Sequence, residues 1–274
     1  MSILNQHFTL ANEILIPKLG FGTWQISNNQ APEAVIAALE LGYTHIDTAR
    51  VYGNEDGVGR GISQSSLARE DIFLTTKVPA EVKSYEGAKA SIAKSLATLN
   101  LDYVDLLLIH APKPWSEMDS GGTYPYFEEN LEVYRAMEEA YENGQAKSLG
   151  ISNFDVADII NITSGVDIQP VVNQIEFHIG QTQDEITEYC QANDILIEAY
   201  SPIGTGELLD NQEIKEVAQR YNKSVAQLCI RYCLEKNTLP LPKSSHKNFI
   251  KENTEVDFEI SHADIKILDA IRLT

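Results

Sequence analysis

Apolar residues along this chain gather into short runs that end on polar side chains, and the run V-D-L-L-L-I-H at 104–110 shows the pattern most plainly. Four apolar residues in succession fit a strand buried on both faces, with His110 at its far tip. Comparable runs stand at 19–24, 45–48, 72–77, 147–152, 171–177, 195–200 and 239–243, which brings the total to eight. Stretches with helical spacing at 32–41, 85–99, 130–143, 184–192 and 211–221 lie between them, and a last one covers 263–271. Strands alternating with helices imply right-handed crossovers and a parallel sheet, and eight such units close into a (β/α)8 barrel. Residues 8–22 hold two short apolar runs around Ala11-Asn12-Glu13, which predicts an N-terminal β-hairpin ahead of the barrel.

Local signals support these boundaries. Pro32 suits a first helical turn, while Gly42 and Asn143-Gly144 suit helix stops. Ser224 with Gln227 three residues on has the capping-box spacing. The segment 57–61, Gly-Val-Gly-Arg-Gly, has the wrong spacing for a dinucleotide fingerprint and is expected as a loop entering a helix. Residues 111–127, rich in Pro, Gly and aromatics, are expected as a long loop on the rim where barrel sites are built.

Composition narrows the class. A chain of 274 residues can bury one large core, so a single α/β domain spanning 1–274 is expected. The formal net charge of −19 argues against nucleic acid, because a phosphate backbone demands a basic face. No apolar run approaches membrane-spanning length and residues 1–8 carry no apolar signal core, so the expectation is a cytoplasmic protein without a membrane partner. Cys190, Cys229 and Cys233 form no C-x-x-C pair, and Cys229 and Cys233 fit small core-facing helical positions. His7, His45, His178, His246 and His262 show no ligand spacing, so no metal is expected and structural or surface roles are the default.

Four reactive side chains stand at or just past strand ends: Asp47, Tyr52, Lys77 and His110. Singly, each has an ordinary explanation: a helix cap for Asp47, packing for Tyr52, a solvated rim charge for Lys77, a satisfied core imidazole for His110. Together they suggest chemistry. A lysine paired with a carboxylate and placed near a phenol stabilises phenolate, so Lys77 is expected to lower the Tyr52 pKa and make it a general acid for a carbonyl oxygen. His110 would orient or polarise that oxygen.

The stretches G-F-G-T-W at 20–24, H-I-D-T-A-R-V-Y-G-N-E at 45–55, L-T-T-K at 74–77, D-L-L-L-I-H at 105–110, G-I-S-N-F at 150–154, N-Q-I-E-F-H at 173–178, A-Y-S-P-I-G at 199–204 and P-K-S at 242–244 resemble the aldo-keto reductase family, in that family's order. The resemblance is to the bacterial diketogluconate and methylglyoxal reductase branch. It implies an NADP(H)-dependent carbonyl reductase in which hydride passes from nicotinamide C4 to the carbonyl carbon, Tyr52 protonates the oxygen, Lys77 and Asp47 tune the tyrosine and His110 positions the carbonyl. It also implies cofactor contacts at Gly22, Thr23, Trp24 and Asp47. Ser152, Asn153 and Gln174 would anchor the carboxamide, Tyr200 would stack on the nicotinamide, and Ser201, Pro202, Ile203 and Gly204 would cover the pyrophosphate. Lys243, Ser244 and Ser245 would meet the 2′-phosphate, with Glu252 and Asn253 at the adenine. Lys243, Lys247 and Lys251 make a local basic patch in an acidic chain, although a solvated helix face explains the last two equally well.

Two departures matter. Phe249 stands where NADPH-preferring members commonly carry arginine, which implies NADPH/NADP+ use with weaker discrimination against NADH. Ala111 follows His110 where many members have tryptophan, and Trp115 comes later. The implied substrate pocket is Trp24, Tyr52, His110 and Trp115. The chain ends soon after 263–271, so an open site taking varied small carbonyl substrates is expected, in a monomer. Two other readings remain at this point: an aldolase forming a Schiff base on Lys77, and a cofactor-sensing binding module on a reductase barrel.

Overall fold

The structure is a computed structural model and describes residues 2–273. The chain opens with an antiparallel hairpin of β1 (His7–Thr9) and β2 (Leu15–Pro17), in which Phe8 pairs with Ile16. Its turn runs over Ala11 to Glu13, and Glu13 takes a left-handed φ of 67°. Eight parallel strands follow: β3 (Phe21–Gly22), β4 (His45–Asp47), β5 (Phe73–Val78), β6 (Leu106–Ile109), β7 (Leu149–Ser152), β8 (Val172–Glu176), β9 (Leu196–Tyr200) and β10 (Leu239–Leu241). Each pairs with the next in sequence. The first and last meet where Gly20 N–H donates to the Pro240 carbonyl at 3.1 Å and Gly22 N–H to the Pro242 carbonyl at 3.0 Å, which closes the barrel. The predicted barrel, with its extra N-terminal hairpin, is the observed architecture.

The interior is layered by the two-residue period of the strands. Phe73, Leu106 and Leu239 open β5, β6 and β10, and they cluster with Val172, Leu241 and with Leu10 and Ile16 of the hairpin. The hairpin therefore plugs the N-terminal mouth with apolar side chains. The next inward positions are His45, Thr75 and Glu198, and above them stand Asp47, Lys77, Gln174 and Tyr200. An apolar floor thus supports a polar upper half.

Regular pairing is shorter than the apolar runs suggest. Val104 makes only an isolated bridge to Ala146, because the Asp105 carboxylate beside it takes Arg69 at 2.7 Å, Lys147 at 3.0 Å and the Leu74 N–H at 3.0 Å. Helices Ala31–Glu40, Tyr85–Leu99, Phe127–Glu142, Asp184–Ala192, Gln212–Arg220 and His262–Ala270 form where the spacing predicts them, within a few residues at the ends. Gly42 and Gly144 end two of them with left-handed φ of 98° and 74°. Ser224 and Gln227 form the expected capping box at the start of Val225–Glu235, which buries Cys229 and Cys233. No helix among the described residues is long and apolar enough to cross a membrane.

Two expectations need correction. Residues 57–61 are not a loop entering a helix but the body of the helix Glu55–Gln64. Its glycines are set by packing: a Cβ on Gly57 would lie 2.3 Å from the Asn28 carbonyl, on Gly59 2.1 Å from the Leu99 carbonyl, and on Gly61 2.8 Å from Val35 Cβ. The stretch after His110 is not wholly loop either, since Trp115–Ser120 is helical. Helices Val156–Gly165 and Lys247–Glu252 also form without a clear periodic signal. The first is started by Asp155, whose carboxylate accepts from the Asp158 N–H at 2.9 Å.

Gly59 gives a direct test of this packing. Glycine to alanine inside a helix gains about 1 kcal/mol of intrinsic propensity. The overlap with a backbone carbonyl costs roughly 1–3 kcal/mol and has no flexible side chain to yield, so the clash wins. Gly59→Ala is expected to lower the melting temperature by a few degrees in a thermal melt, whereas alanine at the exposed turn position Gln25, already at φ 59°, changes it far less.

Candidate active site

The four strand-end residues converge at the C-terminal rim. Lys77 is almost fully buried, and its Nζ reaches Asp47 Oδ1 at 2.8 Å, Asp47 Oδ2 at 2.7 Å, the Thr48 carbonyl at 3.0 Å and the Tyr52 hydroxyl at 3.2 Å. An ammonium has three donors and no acceptor. The Tyr52 oxygen must therefore accept from Lys77, and its own hydrogen is left to point elsewhere. The His110 ring lies edge-on to Tyr52 with centroids 5.6 Å apart, and Trp115 packs edge-on against its other side at 5.3 Å. Trp115, four residues past the position directly after His110, thus still brings an indole against that histidine.

Electrostatics assign states to these groups. Burial alone would lower the Lys77 pKa, but Asp47 and Tyr52 together carry it above its ordinary value, so the amine stays charged. Burial holds His110 well below the usual imidazole range and Lys77 adds to the effect, so this histidine is neutral. For Tyr52 the expected direction does not hold. Lys77 does pull the phenol down, but burial is the larger effect and the net shift is upward. Tyr52 rests protonated beside a cation.

Around this core the loops are fastened together. The Asn54 amide donates to the Thr23 carbonyl at 2.8 Å and the Ile26 carbonyl at 3.0 Å and accepts from Thr48 Oγ1 at 2.9 Å, while Thr23 Oγ1 donates to the Asp47 carbonyl at 2.9 Å. Glu55 accepts from Thr76 Oγ1 at 2.7 Å. These bonds fix the short 3-10 turn Arg50–Tyr52 that presents the phenol.

The residues expected at the carboxamide also meet. Ser152 Oγ donates to the Gln174 carbonyl at 2.8 Å. Asn153, at a left-handed φ of 63°, donates to the His110 carbonyl at 2.9 Å and to Ser152 Oγ at 3.1 Å, and accepts from the Tyr200 hydroxyl at 2.8 Å. Both amide hydrogens of Asn153 are used and one oxygen lone pair remains, which suits the NH2 of a carboxamide. The Gln174 side chain turns inward and donates to Asp47 Oδ2 at 2.9 Å and Glu198 Oε2 at 2.7 Å. These groups fit a nicotinamide amide beside the Tyr200 ring.

Farther along the rim, Ser201, Gly204, Thr205 and Gly206 all take positive φ, which folds 201–206 back over the barrel, with Pro202 buried beneath and Ile203 half-buried. Gly22 lets β3 approach β10, since a Cβ there would lie 3.1 Å from the Leu241 carbonyl and 3.7 Å from Lys243 Cβ. Ser244 is buried and accepts from the His246 N–H at 3.1 Å, Ser245 is exposed, and Asn253 is buried with Glu252 half-exposed beside it. The basic patch is thinner than the sequence suggests. Lys247 pairs with Glu40 at 2.7 Å and Lys251 approaches Glu255 at 3.9 Å, whereas Lys243 makes no ion pair among the described residues. Phe249 is exposed and lies edge-on to His246.

Trp24 is 47% exposed on the same rim, and Val51 and Tyr124, in the segments that follow β4 and β6, are exposed as well. The residues that sequence reasoning missed are Asn54 and Glu198, while His45, expected in a structural role, is buried beside Glu198. Glu198 could have been found by stepping back two positions from Tyr200 to the next inward residue.

Comparison with known proteins bears on all of this. Residues 18–273 match the Aldo/keto reductase family. The glyoxal reductase of Bacillus subtilis (strain 168) is 40% identical over 264 residues, covering 96% of this chain and 91% of that protein. An aldo/keto reductase structure from Brucella melitensis superposes with a TM-score of 0.90 at 40% identity, covering 98% of each chain. A Bombyx mori aldo-keto reductase in complex with NADP superposes with a TM-score of 0.86 at 33% identity, covering 96% of this chain and 92% of that one. With nearly its whole length matched in sequence and in fold, the chain belongs to the aldo/keto reductase family.

Proposed function

We propose that this chain reduces small aldehydes and ketones to alcohols with NADPH, with Tyr52 as proton donor. The observation that carries the reading is the buried contact of Lys77 with both Asp47 and the Tyr52 hydroxyl beside a neutral His110. NADPH, when bound, supplies the hydride. Asn153, Ser152 and Gln174 would hold the carboxamide and Tyr200 would offer its ring as the stacking face, which would orient the bound ring. His110 donates a neutral N–H to the carbonyl oxygen and fixes its direction. Tyr52, whose oxygen already accepts from Lys77, donates its hydrogen to that same oxygen as negative charge develops there, and Lys77 stabilises the phenolate left behind.

The alternatives lose support. A Schiff-base lysine must be a free amine, but Lys77 is charged and fully engaged with four oxygen atoms. A purely cofactor-sensing module would have no need of Tyr52, Lys77 and His110 in bonding order at the mouth.

Lys243 is a point charge, not a bidentate fork, so it supports NADPH over NADH by a modest margin. The likeness to a protein named glyoxal reductase favours α-dicarbonyls within the substrate class. Trp24, exposed on the rim, offers an apolar wall without a tight mould, which favours breadth.

Tyr52→Phe keeps the ring and removes the proton, and it is expected to lower kcat by roughly 10²- to 10⁴-fold while NADPH binding, read by fluorescence quenching, stays near wild type. Undiminished turnover would refute the assignment. Steady-state kinetics with both cofactors should give NADPH the higher kcat/KM, with Lys243→Ala erasing most of the difference; equal or better efficiency with NADH in the wild type would overturn the preference. A panel of glyoxal, simple aldehydes and keto sugars should show turnover of several members, and activity on one alone would rule out the open-pocket reading.

A further inference from the structure

Beneath the catalytic layer lies a second polar layer with no part in the mechanism above. Glu198 points into the barrel from β9 with no exposed surface. Its Oε2 accepts from Gln174 Nε2 at 2.7 Å, and the same nitrogen donates to Asp47 Oδ2 at 2.9 Å. Its Oε1 is buried without a hydrogen-bond partner among the described residues, 3.7 Å from His45 Nε2. His45 is equally buried, its Nε2 lies 3.1 Å from Thr75 Oγ1, and its Nδ1 has no partner. Room for this imidazole is reserved by Gly20, where a Cβ would come within 2.7 Å of His45 Nδ1.

A carboxyl in such a place has two ways to be tolerated: as an ion paired with a histidinium, or as a neutral acid. The surroundings decide. The charged groups facing Glu198 are His45 and Asp47 from β4 and Lys77 from β5, with Tyr52 above, while Gln174 from β8 and Leu239 from β10 are neutral. The one permanent cation, Lys77, is claimed by Asp47 at 2.7 Å and also repels a histidinium. Burial presses His45 down to about 3, leaving it neutral, and burial with the Asp47 charge pushes Glu198 up to about 8. An amide bridging an ionised Asp47 and a second carboxyl must also present its NH2 to them, which turns the Gln174 carbonyl away from the barrel floor.

We infer that Glu198 is a positioning residue for the reduction: as a neutral acid beneath the Asp47–Lys77 pair, it fixes the orientation of the Gln174 amide and keeps the charge under Tyr52 balanced. This rests on the reductase reading and deepens it. While Glu198 carries its proton, the charges acting on Tyr52 from below, among the described residues, are the matched pair of Asp47 and Lys77. Loss of that proton adds an uncompensated negative charge, which raises Tyr52 further and weakens it as an acid. Reduction should therefore fall off as pH rises past about 8 through Glu198 and not through Tyr52 itself.

Glu198→Gln tests this in two arms, because the amide keeps an acceptor oxygen for Gln174 and can never ionise. The first arm is thermal unfolding without cofactor or substrate. Glu198 is raised from 4.5 to about 8 on folding, so the folded protein holds a proton that the unfolded chain releases above 4.5. Wild type then loses stability as pH rises from 4.5 to about 8, and the glutamine variant does not pass through that loss. The gap in melting temperature, variant above wild type, should widen across that window and close below it. No widening would show that Glu198 is not held neutral and would overturn the inference, whatever the enzyme's substrate.

The second arm is the pH profile of kcat/KM for NADPH-dependent glyoxal reduction. The variant should match wild type near pH 6.5 and keep its rate about tenfold higher near pH 9.5, with the alkaline limb moved upward by at least about one unit. Superimposable profiles would reduce Glu198 to a buried acid without bearing on the reaction. Since the melts read Glu198 without any turnover, failure of the reductase reading is distinguished from failure of this one.

Discussion

Everything at the mouth of this barrel depends on keeping one lysine charged where water cannot reach it. Removing an ammonium from water costs several kcal/mol even after relaxation, and removing its partner from a buried pair costs about 3–5 kcal/mol. Lys77 meets that cost with Asp47 on the neighbouring strand, and the pairing is possible because β4 and β5 run in parallel register with Asp47 opposite Thr75, one inward step below Lys77. Thr48 and Tyr52 supply the remaining oxygens from the loop that leaves β4. The cation joins the Asn54, Thr23 and Thr48 hydrogen bonds in tying that loop to the barrel, so the placement of the phenol depends in part on lysine solvation.

The rest of the fold supplies the stiffness this arrangement needs. The hairpin plug and the apolar floor exclude water from below, and without that exclusion Lys77 would be solvated and would lose its hold on Tyr52. The helix Glu55–Gln64, which begins directly after the catalytic loop, is seated against its neighbours by glycines that allow backbone-to-backbone approach. Asn54 ties that helix start to Thr23 and Ile26 in the loop before it. A side chain at Gly59 therefore has a path to the active site through packing alone.

Much of the barrel was legible because strand tips and helix faces obey simple periods. Asp47, Lys77 and His110 could be picked out as polar ends of apolar runs, and only strands buried on both faces produce that pattern. The glycine-rich 57–61 misled because glycine weakens helix propensity, and the close approach of Asn28, Val35 and Leu99 that requires it is a tertiary fact. Glu198 was hidden by being a single charged residue in an apolar run, where inward and outward positions look alike until the strand register is known. The direction of the Tyr52 shift was missed for a related reason. Proximity to a lysine can be guessed from motif order, whereas burial, which here outweighs it, depends on how the loops close above the ring.

The division of labour between Tyr52 and His110 follows from the same field. A neutral imidazole near a buried ammonium can donate a hydrogen bond but has no second proton to release, which in the proposed mechanism leaves the acid's role to Tyr52. Tyr52 keeps its proton at rest because burial disfavours phenolate. In the proposed mechanism the phenolate left by proton transfer lies 3.2 Å from Lys77 Nζ, where a unit charge is stabilised by about 5 kcal/mol at an effective dielectric of ~20. That attraction offsets part of the burial cost, which still leaves the net Tyr52 shift upward. On the proposed reading, burial keeps Tyr52 protonated at rest while the adjacent cation limits the cost of phenolate once the proton has moved, two effects acting against each other on one phenol.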